Sequence, residues 1–401
     1  MMTPVVERGQ HIRLYLESMG RLGDALAHYG DLPVFVLGGI PGEEVIVEVV
    51  RDSRKYIAAQ VVEVLSPSQY RVSPPCGYFG QCTGCQWQHI SYEYQLKLKR
   101  DAVQDALSRV GQLNDVPVLP TLPSKQELGY RNHARFTVGP NGSLGFVHRE
   151  RRRFVAIDEC LLMDPWINSA LGQLQGKCAE TTQLAVRYGP GTGDWLIQPT
   201  LKSAAIPLET GKKHYRDSLL GIDFRVAASS FFQVNIPQAE LLATLVRAEL
   251  NLSGSELLVD AYAGVGTFAG LLAPYSRKVI AIEESLSAIQ DAEENLAPFS
   301  NIELRRAKVE EALDGLEVPV DAVLVDPPRV GCHPGALESL IRLASPRLVY
   351  VSCEPTALAR DLKVLKEGSY HIESVQPVDM FPQTHHVECI ATLVLDPTDP
   401  Q

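Results

Sequence analysis

The first sixty-five residues contain short apolar segments with the alternation expected of half-buried β-strands. The segments cover residues 32–37, 43–50 and 58–65, and glycine or proline turns lie between them. Several short strands at this spacing predict a small OB-like barrel for residues 1–66. Such barrels bind nucleic acid, sugars or other proteins, so this pattern alone predicts no function.

The middle of the chain changes from helical to strand periodicity. Apolar side chains recur at helical spacing at Leu96, Val103, Leu107 and Val110. Gly111 follows as a plausible helix cap, and a strand-rich region extends from residue 129 to about residue 225. This predicts a central α+β domain over residues 67–225, with packing of the helix at about 91–111 on the next domain as an alternative.

From residue 226 onward, short apolar runs alternate with helical segments. The runs predicted as strands are residues 257–261, 278–283, 321–326 and 347–352, with a last strand after residue 388. Alternation of this kind predicts an α/β fold with a mostly parallel, Rossmann-like sheet over residues 226–401. In such sheets the ligand site lies at the carboxyl ends of the strands.

A glycine turn follows the first of these strands and opens a helix. Gly264 and Gly266 would let the backbone approach a ligand at the helix N-terminus. Glu283 ends the next strand and suits the hydroxyl groups of a ribose. This pattern predicts an adenosine-type ligand, and because Ala269 completes a G-x-G-x-x-A spacing, a nicotinamide cofactor is an alternative.

Chemically reactive side chains follow the later strands. Asp326 ends one strand in a rigid Asp-Pro-Pro turn, Cys353 ends the next, and Glu388 precedes the last. We expect these groups to meet in one crevice, as a nucleophile and a base would. We also expect the helix that starts after Cys353 to favour its thiolate, although a free cysteine is often only a small buried hydrophobe.

A cysteine cluster lies near the start of the predicted central domain. Cys82 and Cys85 form a C-x-x-C pair, Cys76 precedes them by six residues, and Cys160 is the nearest further thiol. Four thiolates bind either zinc or an iron–sulfur cluster, and the residues alone leave both open.

Composition limits the cellular compartment and the kinds of binding partner that are expected. The chain has 401 residues, eight cysteines and a net charge of −11, and no apolar run is near the length needed to span a membrane. Without an export signal the cysteines favour a cytoplasmic protein with metal ligands or reactive thiols. Residues 66–220 are locally basic, with 18 lysines and arginines against 13 aspartates and glutamates.

The locally basic segment is where we expect a polyanion to bind. Its cationic candidates are Arg131, Arg135, Arg149, Arg151, Arg152 and Arg153. A solvated charged loop or an exposed pair on a sheet explains these arginines equally well.

Taken in order, the segments resemble the S-adenosylmethionine-dependent RNA uracil-5-methyltransferases, which make 5-methyluridine in tRNA and 23S rRNA. Residues 1–65 resemble the TRAM domain of that family. The matching motifs are CGYFGQCTGCQWQH, SFFQVN, DAYAGVGTF, DPPRVG, VSCEPTALARDL and HVECIATL. Each motif is short, but the ordered set is specific and covers nearly the whole chain.

The resemblance implies a fold, roles and partners for this chain. It implies a Rossmann-like class I methyltransferase domain, Cys353 as nucleophile and Glu388 as base. It implies S-adenosylmethionine contacts at Gln233, Tyr262, Glu283 and Asp326. It implies a [4Fe-4S] cluster on Cys76, Cys82, Cys85 and Cys160. The partner is then RNA, with no membrane, no obligate protein partner and a monomeric chain.

Two other functions compete with this interpretation. A nicotinamide-dependent oxidoreductase would use the glycine turn but would give no role to Cys353, Glu388 or the cysteine cluster. A non-catalytic RNA-binding or chaperone protein would keep the scaffold without needing Cys353 and Glu388.

Overall fold

A computed structural model describes residues 6–53 and 55–396. Over these residues the chain forms four β-sheets and separate apolar cores that follow the chain order. None of the helices described there has the length and apolarity needed to cross a bilayer.

The first sheet contains the N-terminal strands. These are β1 (His11–Tyr15), β2 (Ser18–Met19), β3 (Ala25–Tyr29), β4 (Leu32–Leu37), β5 (Glu44–Asp52) and β6 (Ile57–Ser66). Their order is β1-β5-β6-β4-β3-β2, so the edge strands β1 and β2 are consecutive in the chain. Two adjoining segments can form opposite edges only if the sheet curls, and it does so around its own apolar core. The three strands predicted here are confirmed, and β1, β2 and β3 were not predicted.

Helix α1 (Tyr92–Ala106) continues into a π-helical turn, Leu107–Gly111. Its buried residues Val103 and Leu107 belong to the core beneath the C-terminal sheet, so this helix packs on that sheet. The predicted cap at Gly111 is wrong by one residue, because Gln112 has the left-handed backbone (φ 57°). A side chain at position 111 would lie 2.8 Å from the carbonyl oxygen of Ala359, so the glycine permits close packing.

The central region consists of small antiparallel sheets. Its elements are β7 (His133–Val138), β8 (Leu144–Val147), β9 (Phe154–Ala156), α2 (Pro165–Leu174), β10 (Gln183–Tyr188), β11 (Trp195–Gln198), β12 (His214–Leu219) and β13 (Ile222–Ala227). Five strands pair in the order β11-β10-β7-β8-β9, and α2 covers their apolar face. The β12–β13 hairpin packs with the C-terminal core instead.

The C-terminal region alternates strands and helices as predicted. Its elements are α3 (Ile236–Leu250), β14 (Leu257–Ala261), α4 (Thr267–Leu272), β15 (Lys278–Glu283), α5 (Leu286–Leu296), β16 (Ile302–Arg306), α6 (Val309–Asp314), β17 (Ala322–Val325), α7 (Pro334–Leu343), β18 (Arg347–Ser352), α8 (Pro355–Glu367), β19 (Tyr370–Val378) and β20 (Glu388–Leu395). The sheet has the order β16-β15-β14-β17-β18-β20-β19. The predicted Rossmann-like α/β sheet is therefore confirmed.

One strand of this sheet runs against the others. Strands β14 to β18 are parallel, whereas β20 is antiparallel to both β18 and β19. The carboxyl ends of the parallel strands and the amino end of β20 therefore share one edge. Side chains at the start of β20 therefore lie at the same edge as the groups that follow β14, β15, β17 and β18.

Candidate active site

Cys353 and Glu388 face each other at this edge of the sheet. Cys353 follows β18 and precedes Glu354, the N-cap residue of α8. The strand register pairs Ser352 with Cys389. Extending it by one residue sets Cys353 opposite Glu388, where Cβ atoms lie about 5 Å apart. The two predicted catalytic residues are therefore neighbours.

Arg329 and Asp326 lie beside this pair, in the turn after β17. The guanidinium of Arg329 is close enough to the Cys353 sulfur to lower the pKa of that thiol, and its charge also acts on Glu388. Asp326 acts electrostatically on Cys353 and Glu388 alike. Arg329 belongs to the DPPRVG motif, but no role was predicted for it. Its position in the acidic turn, at the sheet edge where Cys353 also lies, is the feature that could have identified it.

Burial dominates the ionisation of the thiol. Burial and the charge of Glu388 together raise the pKa of Cys353 to about 11, although Arg329 opposes them. The expectation that the helix start would favour the thiolate is therefore wrong for the thiol in this environment. The cost of removing the thiolate from water outweighs the stabilising charge of Arg329.

The neighbouring carboxyl groups are also hard to ionise. Burial raises the pKa of Glu388 well above its usual range, and the charge of Asp326 adds to this. Burial raises the pKa of Asp326 to about 7. Anions in one poorly solvated crevice raise each other's pKa, so a cation that binds in this crevice favours the ionisation of Glu388 and Asp326.

The loop between β19 and β20, residues 379–387, is called the base loop because it leads into Glu388. It carries His385 and His386, whose rings lie 4.1 Å apart. Burial lowers the pKa of His385 to about 3 and that of His386 to about 4, so both are neutral at pH 7. The charge of Arg329 lowers the pKa of His386 further. The sequence analysis assigned these histidines no role.

The glycine turn after β14, predicted to bind the cofactor, is held in place by Glu283, which was itself predicted to contact the cofactor. Oε2 of Glu283 accepts the N–H of Gly264 at 2.9 Å, and Oε1 accepts the N–H of Ser285 at 2.7 Å. Gly266 has φ 86°, and a Cβ there would lie 2.8 Å from the Leu296 side chain. Glycine is therefore required at this position.

Asp260 in β14 and Tyr262 just after it lie next to the glycine turn. The carboxyl oxygens of Asp260 are buried and neither makes a well-formed hydrogen bond. Burial and the charge of Asp326 raise the pKa of Asp260 well above its usual range. Tyr262 has a left-handed backbone (φ 68°), and its hydroxyl lies against the thiol of Cys332. Unpartnered buried acceptors beside a glycine turn fit a ligand that brings hydrogen-bond donors.

Gln233 lies near the base loop. Its carbonyl oxygen accepts the side-chain N–H of Asn132 at 3.2 Å. Two residues later, Asn235 caps α3 and donates to the carbonyl oxygen of Met380 at 3.0 Å. Gln233 thus lies before α3 and outside the sheet, whereas the other predicted site residues of the C-terminal region lie at one edge of it.

The N-terminal sheet also contacts the site, through residues for which no role was predicted. In the turn between β2 and β3, Arg21 pairs with Oε1 of Glu354 at 3.0 Å. Gly23 leaves no room for a side chain, because a Cβ there would lie 2.7 Å from His385. Its carbonyl oxygen accepts the indole N–H of Trp87 at 2.9 Å.

Two exposed apolar side chains flank the site in sequence. Phe231 is 72% exposed two residues before Gln233, and Val330 is 74% exposed next to Arg329. Exposed apolar groups beside a polar crevice are typical of surfaces that contact a ligand or a base.

The four predicted cluster cysteines line one cavity of about 230 Å³. Burial raises the pKa of the Cys82, Cys85 and Cys160 thiols, and for each of them a neighbouring thiolate adds to this. Among the described residues no group of three or more histidines, cysteines or carboxylates is arranged to hold a metal ion. All eight cysteines are free thiols.

Half of the predicted arginine run is used for contacts with the N-terminal sheet. Arg149 pairs with Asp24 and Arg151 with Glu48. Arg131 precedes β7, whereas Arg135 lies within it and donates to Oε1 of Gln183. Arg135 is exposed, so it stays a candidate for RNA contact.

Comparison with known proteins shows the family to which the chain belongs. Residues 219–395 match the family model described as tRNA (uracil-5-)-methyltransferase. A Synechocystis protein described as an uncharacterized RNA methyltransferase is 33% identical, covering 98% of this chain and 97% of its own. One from Bacillus cereus is 32% identical, covering 98% and 99%.

A similar solved structure is that of Pyrococcus abyssi tRNA (uracil-54, C5)-methyltransferase in complex with S-adenosyl-L-homocysteine. It is 28% identical, with a TM-score of 0.76, and the match covers 96% of this chain and 100% of that one. The similarity therefore extends over all the regions described above.

Proposed function

Because the chain belongs to the tRNA (uracil-5-)-methyltransferase family, we propose that it transfers a methyl group from S-adenosylmethionine to C5 of a uridine in tRNA or 23S rRNA. The observation that carries this proposal is the facing pair of Cys353 and Glu388 at the cofactor edge of the sheet. A nucleotide fold supplies a donor site, but only a nucleophile and a base together suit carbon methylation of uracil.

Cys353 has the first chemical role. C5 of uracil is a weak nucleophile, so the Cys353 thiolate adds to C6, and the C5–C6 π electrons move toward the O4 carbonyl. C5 then carries enolate character and can accept the methyl group. S-adenosylmethionine, when bound, supplies that methyl group and a positive charge.

Glu388 has the second role. Once C5 carries the methyl group, the Glu388 carboxylate removes the remaining C5 proton. The electron pair of that C–H bond restores the C5–C6 double bond and expels the Cys353 thiolate from C6. The raised pKa of Glu388 makes it a strong base once it is ionised.

Arg329 balances the charge during these steps. Its guanidinium stabilises the Cys353 thiolate and opposes the burial that keeps thiol and carboxyl neutral. Lowering the pKa of Cys353 by one unit raises its thiolate fraction about tenfold at a pH well below the pKa.

The cofactor residues are proposed to be Gln233, Tyr262, Glu283 and Asp326. The unpartnered oxygens of Asp260 and the glycine turn held by Glu283 support an amino acid and nucleoside ligand here. The raised pKa of Asp326 fits a carboxyl group that ionises when a cation binds beside it.

The cysteine cavity is proposed to hold a [4Fe-4S] cluster on Cys76, Cys82, Cys85 and Cys160. Four thiols line one cavity, and burial raises the pKa of Cys82, Cys85 and Cys160; this fits a group that supplies positive charge to four thiolates. Methyl transfer needs no electron from it, so we assign it a structural role.

RNA is proposed to bind between the N-terminal sheet, the central region and the C-terminal region, with the target uridine extruded from its base stack. The N-terminal curled sheet, interpreted as a TRAM domain, contributes Arg21, and the central region contributes Arg131 and Arg135. Phe231 and Val330 offer apolar surface to bases. We retain the cytoplasmic and monomeric expectations as part of this proposal.

The test is labelled methyl transfer to unmodified tRNA and 23S rRNA transcripts, using protein purified without oxygen. We expect 5-methyluridine in one of them and none with Cys353→Ala. A covalent adduct with 5-fluorouridine RNA is expected from the native protein alone. Folded native protein that gives neither product would contradict the proposal and favour a non-catalytic RNA-binding protein.

A further inference from the structure

The base loop is buried although it is a loop. Asp379 and Met380 have no exposed surface, and Gln383 and Thr384 are 7% and 5% exposed. Loops usually lie on the surface because their backbone polar groups need partners. Partners for this loop must therefore come from the elements around it.

Helix α1 supplies the charged partners. The ammonium group of Lys99 pairs with the carboxylate of Asp379, and it donates to the carbonyl oxygen of Phe381 at 3.0 Å. Both side chains of the ion pair are wholly buried. The hydroxyl of Tyr92 donates to Oδ2 of Asp379 at 2.9 Å and accepts the N–H of Ser124 at 2.7 Å.

Gln95, one helical turn before Lys99, makes a reciprocal contact with the same loop. Its Nε2 donates to Oε1 of Gln383 at 3.0 Å, and its Oε1 accepts the Gln383 backbone N–H at 3.0 Å. The carbonyl oxygen of Gln383 accepts the N–H of Trp87 at 3.1 Å.

Other elements secure the loop from the opposite side. Gln238 of α3 donates to the carbonyl oxygen of Asp379 at 3.0 Å, and Asn235 donates to that of Met380. The hydroxyl of Tyr130 donates to the carbonyl oxygen of Pro382 at 3.0 Å. The loop therefore has one fixed path to Glu388.

A buried ion pair is poor evidence for stability, because desolvation offsets the attraction between its charges. It does define one geometry, since each charge must meet its partner. We propose that Lys99 and Gln95 are positioning residues that hold the base loop so that Glu388 reaches the C5 proton. This inference rests on the proposed function and assigns α1 a part in its second step.

The experiment compares Lys99→Met with the double variant Lys99→Met/Asp379→Leu. The single variant leaves a buried carboxylate unpaired and is expected to be unstable. The double variant replaces the pair by apolar side chains and is expected to fold, but it does not restore the contact with Phe381. Lys97→Met is the control, because Lys97 lies on the same helix in an exposed pair with Asp101.

We expect kcat of the double variant to fall about 10- to 100-fold, because small displacements of a catalytic group have effects of this size. The KM for RNA should stay within about twofold, since the loop change leaves the RNA surface in place. A covalent protein–RNA adduct that carries the labelled methyl group should accumulate on ordinary uridine RNA. Slow proton removal predicts this adduct, whereas lost stability does not.

Two results would overturn the inference, and they are distinguishable. A stable double variant with native kcat and no adduct would leave Lys99 and Asp379 a merely structural pair. No adduct between the native protein and 5-fluorouridine RNA would overturn the proposed function, and this inference with it. Lys97→Met should match the native protein in each measurement.

Discussion

Arg329 lies beside Cys353 at the edge of the C-terminal sheet, and its positive charge lowers the pKa of that thiol. Burial and Glu388 act in the opposite direction. The reactivity of Cys353 therefore depends on a residue that follows the neighbouring strand β17.

Replacing Arg329 by glutamine should slow attack on uracil. Loss of the guanidinium raises the pKa of Cys353, and each unit lowers the thiolate fraction about tenfold near neutral pH. We expect adduct formation with 5-fluorouridine RNA to slow by at least about tenfold, measured by quenched time courses. Arg342→Gln is the control, because Arg342 lies on α7 in an exposed pair with Asp314. Equal rates for the two variants would contradict the role given to Arg329.

The ionisation of Cys353 should respond to cofactor charge. With a pKa of about 11 the group is mainly thiol below that pH, so its alkylation by iodoacetamide should rise about tenfold per pH unit up to about pH 11. A cation beside the thiolate lowers its pKa, so the amine analogue sinefungin should move the profile to lower pH. The uncharged thioether S-adenosylhomocysteine should move it far less.

Cys353→Ala provides the background for this alkylation experiment, because other thiols also react. Identical profiles with the two analogues would show that cofactor charge does not reach the sulfur. An apparent pKa near 8.5 in the free protein would contradict the dominance of burial.

Glu388→Gln should separate the two halves of the reaction. The amide leaves Cys353 free to add to C6 and C5 free to accept the methyl group, but it cannot take the C5 proton. We expect a methylated covalent adduct on ordinary uridine RNA, seen by denaturing gel with a labelled methyl group. Glu373→Gln on β19 is the control, since that side chain lies on the surface. Free methylated RNA released by Glu388→Gln at the native rate would exclude Glu388 as the base.

The cysteine cavity predicts iron binding. Protein purified without oxygen should carry about four iron ions per chain. Cys85→Ser should lose most of them, because Cys85 lines the cavity with the other three thiols. Cys178→Ser is the control, since Cys178 is buried elsewhere. Iron content and visible absorption measure the outcome without reference to activity, and zinc in place of iron would contradict the cluster assignment.

Local sequence predicted the parts of the site that one strand and its following turn define. Each of these residues ends a strand or follows one within three residues, and the parallel sheet brings strand ends to a common edge: Gly264, Glu283, Asp326 and Cys353. The alternation of apolar runs and helices was sufficient for this, since buried parallel strands are apolar on both faces.

Features that depend on distant partners were not predictable from local pattern. Gln95 and Lys99 are buried on α1 while Leu96 is only partly so, which reverses what helical periodicity indicates. Their partners are base-loop residues far along the chain, and the sequence around α1 contains no feature that predicts these contacts. The pKa of Cys353 likewise depends on burial by the assembled sheet, which a helix-start argument leaves out.

The pairing of Lys99 with Asp379 spans 280 residues of chain. Closing a contact of such separation is slow, and long-range pairings form late when a polypeptide emerges and folds from its amino end. The curled N-terminal sheet and the thiol cavity can be complete while residues 379–388 are still unmade. The proposed cluster site and the N-terminal sheet would therefore be complete in a nascent chain before Glu388 is available for catalysis.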